Sequence, residues 1–568
     1  MRLPSSAPLY CTTPARQECK CGIAGVWYSK CGTAGVWCSW SAVQQECSAH
    51  KGGTASGSRA TQPIMKTLPV VLGLLCCVAA QVCSPRSFGY DSVVCVCNAT
   101  YCDQPGIINF PEEGCFTVVT SSRDGLRFNV ETFPVSSEDD LDAEEITVNR
   151  EDVYHTILGF GGAFTDSTGL NVVALSSQLQ EHFLRSYFAP EGIGYTIGRI
   201  PIAGCDCSTR TYSYDDVEGD DDLVHWNLTE EDHKYKIPLI LRAKEMSAYP
   251  LKMFGSPWSS PAWMKTNGMF NGSGTLIYEY WQAWANYIVK FVDAYEAAGV
   301  KMWGLTPQNE PLGGLTDWKI NAVGWSAESM RDWLRDNLGP TLEAAGYRRL
   351  KMMVHDFNRD SLISYIEPML ADPECAKYID GTAVHWYSDN IISPEILDKI
   401  HALSPERFIL YTEACQGWDV EGSELSVNLG SWLRAEQYVH SMLDAVNHYS
   451  TGWVDWNMAL DTLGGPNWAN IFLDAPVIID AEAKEFYKQP MFYAIGHLSK
   501  FVVPGAKRIS SSTSSNWLEA AAFIDPSGRT VVVVLNKDDD EEQLTVTDGS
   551  SYFLNFKIPP KAIQTILY

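Results

Sequence analysis

From about residue 155 to 457, short apolar runs alternate with longer amphipathic stretches, the pattern of parallel strands joined by helices. Eight runs read as strands: Ile157–Gly161, Tyr195–Pro201, Leu251–Ser256, Met302–Pro307, Leu350–His355, Thr382–Trp386, Phe408–Thr412 and Trp453–Trp456. Segments such as Tyr280–Ala298 and Ala327–Ala345 read as helices. In the first of these, Trp284, Tyr287, Ile288, Phe291 and Val292 share one face. Eight strand–helix units in about 300 residues match a (β/α)8 TIM barrel, which typically takes ~250. The flanks differ. Phe116–Val135 and Trp517–Tyr568 are rich in β-formers, including the run Thr530 to Leu535, and predict one β-sandwich beside the barrel, with two separate sheets as the alternative.

Length and composition narrow the class. A chain of 568 residues with 45% hydrophobic content buries a full enzyme core. A formal charge of −27 excludes nucleic acid as a partner, since that needs a basic footprint. The same charge suits either simple solubility or an acidic compartment, where partial protonation relieves self-repulsion.

Lys66 followed by the apolar run Leu68 to Ala80 reads as a signal peptide over residues 65–80, too short for the roughly 20 residues of a membrane span. The mature chain is then expected to start near Gln81. Residues 1–64 hold six cysteines and an imperfect repeat, CGIAGVWYSK then CGTAGVWCSW, and read as an atypical extension outside the mature protein. Cys83, Cys95, Cys97 and Cys102 form an even, tight cluster that invites two disulfides in an oxidising compartment, a zinc site being the rival. Asn98, Asn227 and Asn271 open sequons that a lumenal chain exposes to glycosylation.

In a barrel of this kind, reactive groups gather at the C-terminal strand ends. Those ends carry Asp166, Arg199, Trp258, Asn309-Glu310-Pro311, Asp356, His385-Trp386-Tyr387, Glu413 and Asp455-Trp456-Asn457. Two isolated glutamates ringed by Trp, Asn, His and Tyr suggest sugar chemistry. Cleaving a glycosidic bond takes one carboxyl to protonate the leaving oxygen and a second to attack or to activate water. Glu310 and Glu413 are the candidates. Asn309, beside the acid, is placed for the sugar 2-hydroxyl. Asp166 is either a sugar-hydroxyl acceptor or a helix cap, and Trp258 and Trp456 either stack on sugar or pack. Arg199 either positions the nucleophile or pairs with Asp206. Tyr387 either donates to Glu413 or packs, and His385 is the candidate most readily structural.

The strings GFGGAFTD, GSPWSSPAWMKTNG, TPQNEP, AVHWY, TEAC, GWVDWNMAL, GGPNW and FYKQPMFYAIGHLSKF resemble glycoside hydrolase family 30, the family of lysosomal acid β-glucosidases. The resemblance runs from about Cys83 to Tyr568. It implies a retaining exo-β-glucosidase acting by double displacement on glucosylceramide at a membrane surface, with Glu310 as acid/base, Glu413 as nucleophile and no cofactor or metal. It carries sugar contacts to Asp166, Trp258, Asn309, Trp456 and Asn470, and pairs Cys83 with Cys95 and Cys97 with Cys102.

The same likeness implies an architecture: a small antiparallel, three-stranded sheet from 81–115 joined by about 460–485, a sandwich from 116–153 with 505–568, and a barrel from 154–458 with 486–504. It also implies delivery through the secretory pathway to the lysosome lumen, peripheral membrane association, anionic lipids and a saposin C activator as partners, and a sorting receptor docking on a helix region at Asp474–Phe486. Trp318 and Trp325 are candidates for lipid contact or for buried helix positions. Three departures stand out. One residue, not two, separates Trp468 from Asn470; Thr-Pro-Gln precedes Asn309 where Thr-Ala-Glu is usual; and His355 stands where an acidic residue is common, which removes an expected salt bridge. The rival readings are a xylan- or β-1,6-glucan-cleaving enzyme of the same barrel class, and a non-catalytic glycan-binding protein.

Overall fold

A computed structural model describes residues 82–418 and 426–568. The N-terminal extension and the leader segment lie outside the described residues. Eight parallel strands close into a barrel: β1 (Gly159–Ala163), β2 (Ile197–Ile202), β3 (Lys252–Pro257), β4 (Met302–Leu305), β5 (Lys351–Asn358), β6 (Gly381–His385), β7 (Phe408–Glu413) and β8 (Ser450–Asn457). Each pairs with the next, and β8 closes onto β1. All eight expected strands are present. Ile197, Phe254, Met353, Ala383, Leu410 and Val454 from six of them fill one apolar layer inside the barrel. The glycine-rich β1 is a packing requirement: a Cβ on Gly161 would fall 1.9 Å from the Ile197 carbonyl oxygen.

The helices pack outside. Trp281–Ala297 buries Trp284, Tyr287, Ile288, Phe291 and Val292, as its spacing predicts. The segment expected as one helix over 327–345 is helical throughout but widens into a π turn at Leu334–Leu338 before Gly339 and Pro340. Proline lacks the N–H that a regular turn would use there, so the register is relaxed just ahead of it.

The flanking strands form one continuous nine-stranded sheet that folds over itself. Phe116, one strand in from one edge, meets Phe133 on the edge strand at 5.5 Å and Phe556 on the opposite edge strand at 5.8 Å between ring centroids. The sandwich is therefore a single sheet drawn from both ends of the fold. Thr530–Asn536 reads as an unbroken apolar run because both its faces are covered: Val532 and Val534 enter the sandwich core, while Val531, Val533 and Leu535 join the barrel's core.

The small sheet has five strands, not three, in the order 85–86, 94–98, 485–488, 477–480, 459–461. It is antiparallel except where Ala459–Asp461 runs parallel to Val477–Asp480. Disulfides Cys83–Cys95 and Cys97–Cys102 staple its edge. The expected docking helix at 474–486 is instead strand and turn, with Val477–Asp480 paired to Glu485–Lys488; the β-branched run Val477-Ile478-Ile479 favours a strand. Among the described residues, no helix is long and apolar enough to cross a membrane.

The two-faced strand gives a test. Val532→Ala and Val533→Ala each remove a fully buried side chain, one from each core, and each is expected to lower stability by about 2 kcal/mol in denaturant unfolding. An unchanged midpoint for Val533→Ala would show that the sandwich does not pack on the barrel as described.

Candidate active site

The C-terminal strand ends converge on Arg199, which is fully buried in the middle of β2. Its guanidinium donates to a Glu413 carboxylate oxygen on β7, to Asp356 on β5 at 2.8 Å, to Asn309 after β4 at 2.8 Å and to Ser256 on β3 at 3.2 Å. Trp258 and Trp456 stack on each other at 4.9 Å and lie 4.7 and 5.4 Å from the cation. Arg199 thus contacts Glu413 and not Asp206. Burial opposes the guanidinium's charge, but Asp356 and Glu413 outweigh it and raise its pKa.

Glu413 receives a second bond at its other oxygen, from the Tyr387 hydroxyl at 2.7 Å. Asp356 accepts from Arg199, from Thr306 at 2.7 Å, from Thr412 at 2.6 Å and from His385 at 3.0 Å. Although its burial works in the other direction, Arg199 and His385 hold Asp356 well below the usual carboxylate range. The second nitrogen of His385, Nδ1, reaches Glu310 at 3.2 Å. Burial resists charge on His385, yet Glu413, Asp356 and Glu310 raise its pKa to about 9. Burial pushes Glu310 upward, His385 pulls it back, and the Glu413 charge pushes it further up.

Glu310, His355 and Asp356 adopt left-handed backbone at φ 45°, 84° and 49°. The Glu310 N–H donates to the Asp356 carbonyl at 3.0 Å, tying the ends of β4 and β5 together. Such conformations cost about 1 kcal/mol or more each and persist where surrounding contacts hold them, commonly at functional sites. His355 keeps no salt bridge: Nε2 pairs with Ser361 at 2.8 Å, and burial lowers its pKa to about 3, so it is neutral.

One carboxylate oxygen of Glu310 lies within 4.8 Å of one of Glu413, with a His385 nitrogen inside the same radius. These three have the donor types of a metal site. His385, however, points one nitrogen at each of two carboxylates, which is the geometry of a doubly donating imidazolium. Cys97, Cys102 and Asp103 form the other close group, but the two sulfurs are bonded to each other. That disulfide answers the zinc alternative.

The carboxylates face a cavity of about 310 Å³ lined by Trp258, Asn309, Glu310, Tyr387, Glu413 and Trp456. Trp318, Ile320, Trp418 and Leu473 add an apolar wall to the same lining. Trp325, the other lipid-contact candidate, is buried and stacks on Trp333 at 5.0 Å.

Two carboxylate readings change. Asp166 does not line the cavity; it accepts from Ser208 at 2.6 Å and Tyr212 at 2.9 Å and sits 3.3 Å from the buried Lys236. Thr165, and not Asp166, caps the helix that Asp166 begins. Asp206 lines the cavity instead, pushed up to about 6 by burial and by the neighbouring Glu310. The signal for it was present, since Asp206 follows β2 as Asp166 follows β1. Asn470 is exposed, outside the lining, at φ 56°; its neighbours Ile471 and Leu473 face the cavity. Asn227 is exposed, while Asn98 and Asn271 are half-buried.

A (β/α)8 barrel that presents paired carboxylates in an aromatic cavity defines a glycoside hydrolase. The chain belongs to glycosyl hydrolase family 30: the family's TIM-barrel domain matches residues 157–502 and its β-sandwich domain residues 505–566. It is 43% identical to the lysosomal acid glucosylceramidase of Mus musculus over 499 residues, covering 86% of this chain and 96% of that one. Among solved structures, SrfJ from Salmonella typhimurium superposes with TM-score 0.74 at 29% identity, covering 80% of this chain and 99% of that one. The endo-β1,6-glucanase BT3312 superposes with TM-score 0.71 at 27% identity, covering 80% and 99%.

The charged His385 yields a pH prediction. Its folded pKa of about 9 lies above the ordinary 6.5, so its contribution is fully present below about pH 6.5 and is lost as pH rises through 9. Unfolding free energy of the wild type is expected to fall across that window by a few kcal/mol at most, and His385→Gln to flatten the slope. Parallel slopes for the two proteins would show that His385 is neutral in the fold.

Proposed function

We propose that this chain is a retaining exo-β-glucosidase that hydrolyses glucosylceramide to glucose and ceramide. The observation that carries the reading is the approach of Glu310 and Glu413 to within 4.8 Å. Retaining enzymes hold their carboxyls about 5–5.5 Å apart, and inverting ones 6.5–9.5 Å to admit a water.

Glu413 is the nucleophile. Arg199 and Tyr387 donate to its two oxygens and fix its orientation, with Arg199 supplying the countercharge. Glu310 is the acid/base. Raised by burial and by the Glu413 charge, it arrives protonated and gives its proton to the departing ceramide oxygen. Bond formation to the anomeric carbon removes the charge on Glu413. Glu310 then ionises more easily, takes a proton from water, and the water displaces Glu413. Asn309 takes the sugar 2-hydroxyl and is held by Arg199. Asp206 binds further sugar hydroxyls, and Trp258 and Trp456 border the ring. The apolar wall of Trp318, Ile320, Trp418 and Leu473 receives the lipid aglycone.

The setting we infer is the lysosome lumen, reached by the secretory pathway, with the protein peripheral to a membrane. This is supported by the name of the 43% identical relative and by the charge of −27, whose self-repulsion an acidic lumen reduces. Anionic lipids, a saposin C activator and a sorting receptor belong to the same reading, as does glycosylation at Asn98, Asn227 and Asn271. The likeness to an endo-β1,6-glucanase structure at 27% identity keeps a polysaccharide substrate as the second reading; the higher identity to the glucosylceramidase favours the first.

Trapping with a cyclitol epoxide or a fluoro-glucoside, followed by peptide mapping, is expected to label Glu413; label elsewhere overturns the assignment. Glu413→Gln should fold and lose turnover. Glu310→Gln should lose about 10²- to 10⁴-fold on poor leaving groups and far less on activated aryl glucosides, with equal loss on both counting against an acid role. Asp206→Asn should lower kcat/KM by up to about 10-fold, as expected for altering one buried hydrogen bond of a largely neutral group. Faster turnover of β-1,6-glucan or xylan than of glucosylceramide would move the assignment to the second reading.

A further inference from the structure

Part of the cavity's apolar wall is carried by a loop and not by the barrel strands. Trp318 and Ile320 lie on the segment 313–325, which follows β4, and that segment is bound along its length to the segment 262–276, which follows β3. Gly272 donates to the Trp318 carbonyl at 2.7 Å, Ala322 to Phe270 at 3.0 Å, Gly274 to Gly314 at 2.9 Å and Gly324 to Gly274 at 2.8 Å. Glycines stand at this seam because the two backbones touch: a Cβ on Gly314 would fall 2.2 Å from the Gly324 nitrogen.

Beneath the seam lies Lys265, only 2% exposed. Its ammonium donates to the Phe270 carbonyl on its own loop at 3.1 Å and to the Ala322 carbonyl on the other loop at 2.5 Å. A third bond goes to the Ser259 hydroxyl just after β3, at 3.4 Å. The three N–H groups of an ammonium are thereby all matched to oxygens. Among the described residues no carboxylate pairs with it, and burial lowers its pKa to about 7. The other ionisable side chains of the paired loops, Asp317 and Lys319, are exposed at the mouth. A buried charge without an anion costs stability, and the bonds that offset this cost all tie loops together.

The foot of the second loop is fixed by other bonds. Trp325 donates to the Pro311 carbonyl at 2.9 Å, and the Glu310 N–H to the Asp356 carbonyl at 3.0 Å. The acid carboxyl is therefore anchored without Lys265, whereas Trp318 and Ile320 hang on the seam that Lys265 underlies.

We propose that Lys265 is a positioning residue for the aglycone: it clasps the two loops and so sets Trp318 and Ile320 against the apolar group that leaves the sugar, with no part in holding the sugar itself. This rests on the reading of the apolar wall as the aglycone site.

Steady-state kinetics on the full chain test it with three substrates. The leaving group of β-glucosyl fluoride is a single atom that needs no wall, while octyl β-glucoside and micellar glucosylceramide carry apolar aglycones. Lys265→Met keeps the apolar stem and removes the donors; Gly314→Ala leaves Lys265 in place and wedges the seam from the other side. In each variant KM for the octyl and ceramide glucosides should rise about tenfold, as for loss of a hydrogen bond to a charged group. The kcat values, and both constants for β-glucosyl fluoride, should stay within about twofold of wild type. Unchanged KM for the apolar glucosides, or an equal loss on all three substrates, overturns the proposal. Should Lys265→Met fail to fold, Gly314→Ala decides alone. If the wild type cleaves octyl glucoside but not glucosylceramide, the substrate reading is what has failed, and the octyl series still reports on the clasp.

Discussion

A cation with no access to water, shared between two carboxylates, is the constraint around which this molecule is arranged. Moving a guanidinium out of water costs several kcal/mol, and only well-placed anions and acceptors offset that cost. Arg199 draws them from four other strand ends: Ser256 from β3, Asn309 after β4, Asp356 from β5 and Glu413 from β7. A lysine, as a compact point charge, has no planar fork to reach these acceptors in their separate directions. The strands are consequently locked in one stagger, and the oxygens that must face one sugar ring are set before any sugar arrives. Asp356 serves the same end from beneath. Its two oxygens take Arg199, Thr306, Thr412 and His385, so that the groups bonded to Glu413 and to Glu310 are held through one residue.

How the protons divide follows from this geometry. Glu310, Glu413, Asp356 and Asp206 gather around one mouth, where Arg199 and a protonated His385 supply positive charge. Asp356 lies against both cations and is pulled down. Glu310 and Asp206, buried and lined toward the cavity, are pushed up. Environment thus moves these carboxyls apart, Asp356 downward and Glu310 and Asp206 upward.

The barrel was legible because its strands are buried on both faces and its helices on one, so the period of the apolar positions changes at each boundary. The meeting of Glu310 and Glu413 at one cavity was legible because each sits alone at a strand end among aromatics. What periodicity does not carry is the direction in which a side chain turns once the strand has ended. Asp166 and Asp206 both follow closely on a strand end, after β1 and β2, and strand periodicity alone does not tell them apart. The difference lies in Lys236, remote in sequence, whose ammonium claims Asp166 and leaves Asp206 to the cavity. The 474–486 segment misleads for a related reason: family likeness transfers a position, but the β-branched run Val477-Ile478-Ile479 makes a strand there.

The sandwich is more than a neighbour of the barrel. The helix Trp432–Asn447, which links β7 to β8, is gripped on its outer face: Glu436 pairs with Lys561 at 3.5 Å, His440 with Glu519 at 2.8 Å, and Asn447 donates to the Ala520 carbonyl at 3.1 Å. On its inner side, Arg434 forms a buried ion pair with Asp474, and the residue before Asp474 is Leu473 of the cavity wall. Asp474 also accepts from Gln489 at 2.5 Å, at the start of the helix Pro490–Ser499. A continuous set of polar contacts therefore runs from the sheet, through one helix, to the apolar wall of the cavity. Packed cores transmit such constraints because they deform little. Loosening the sheet should disturb the aglycone side of the cavity before it disturbs Glu310 and Glu413, which are anchored independently on strands closed into the barrel.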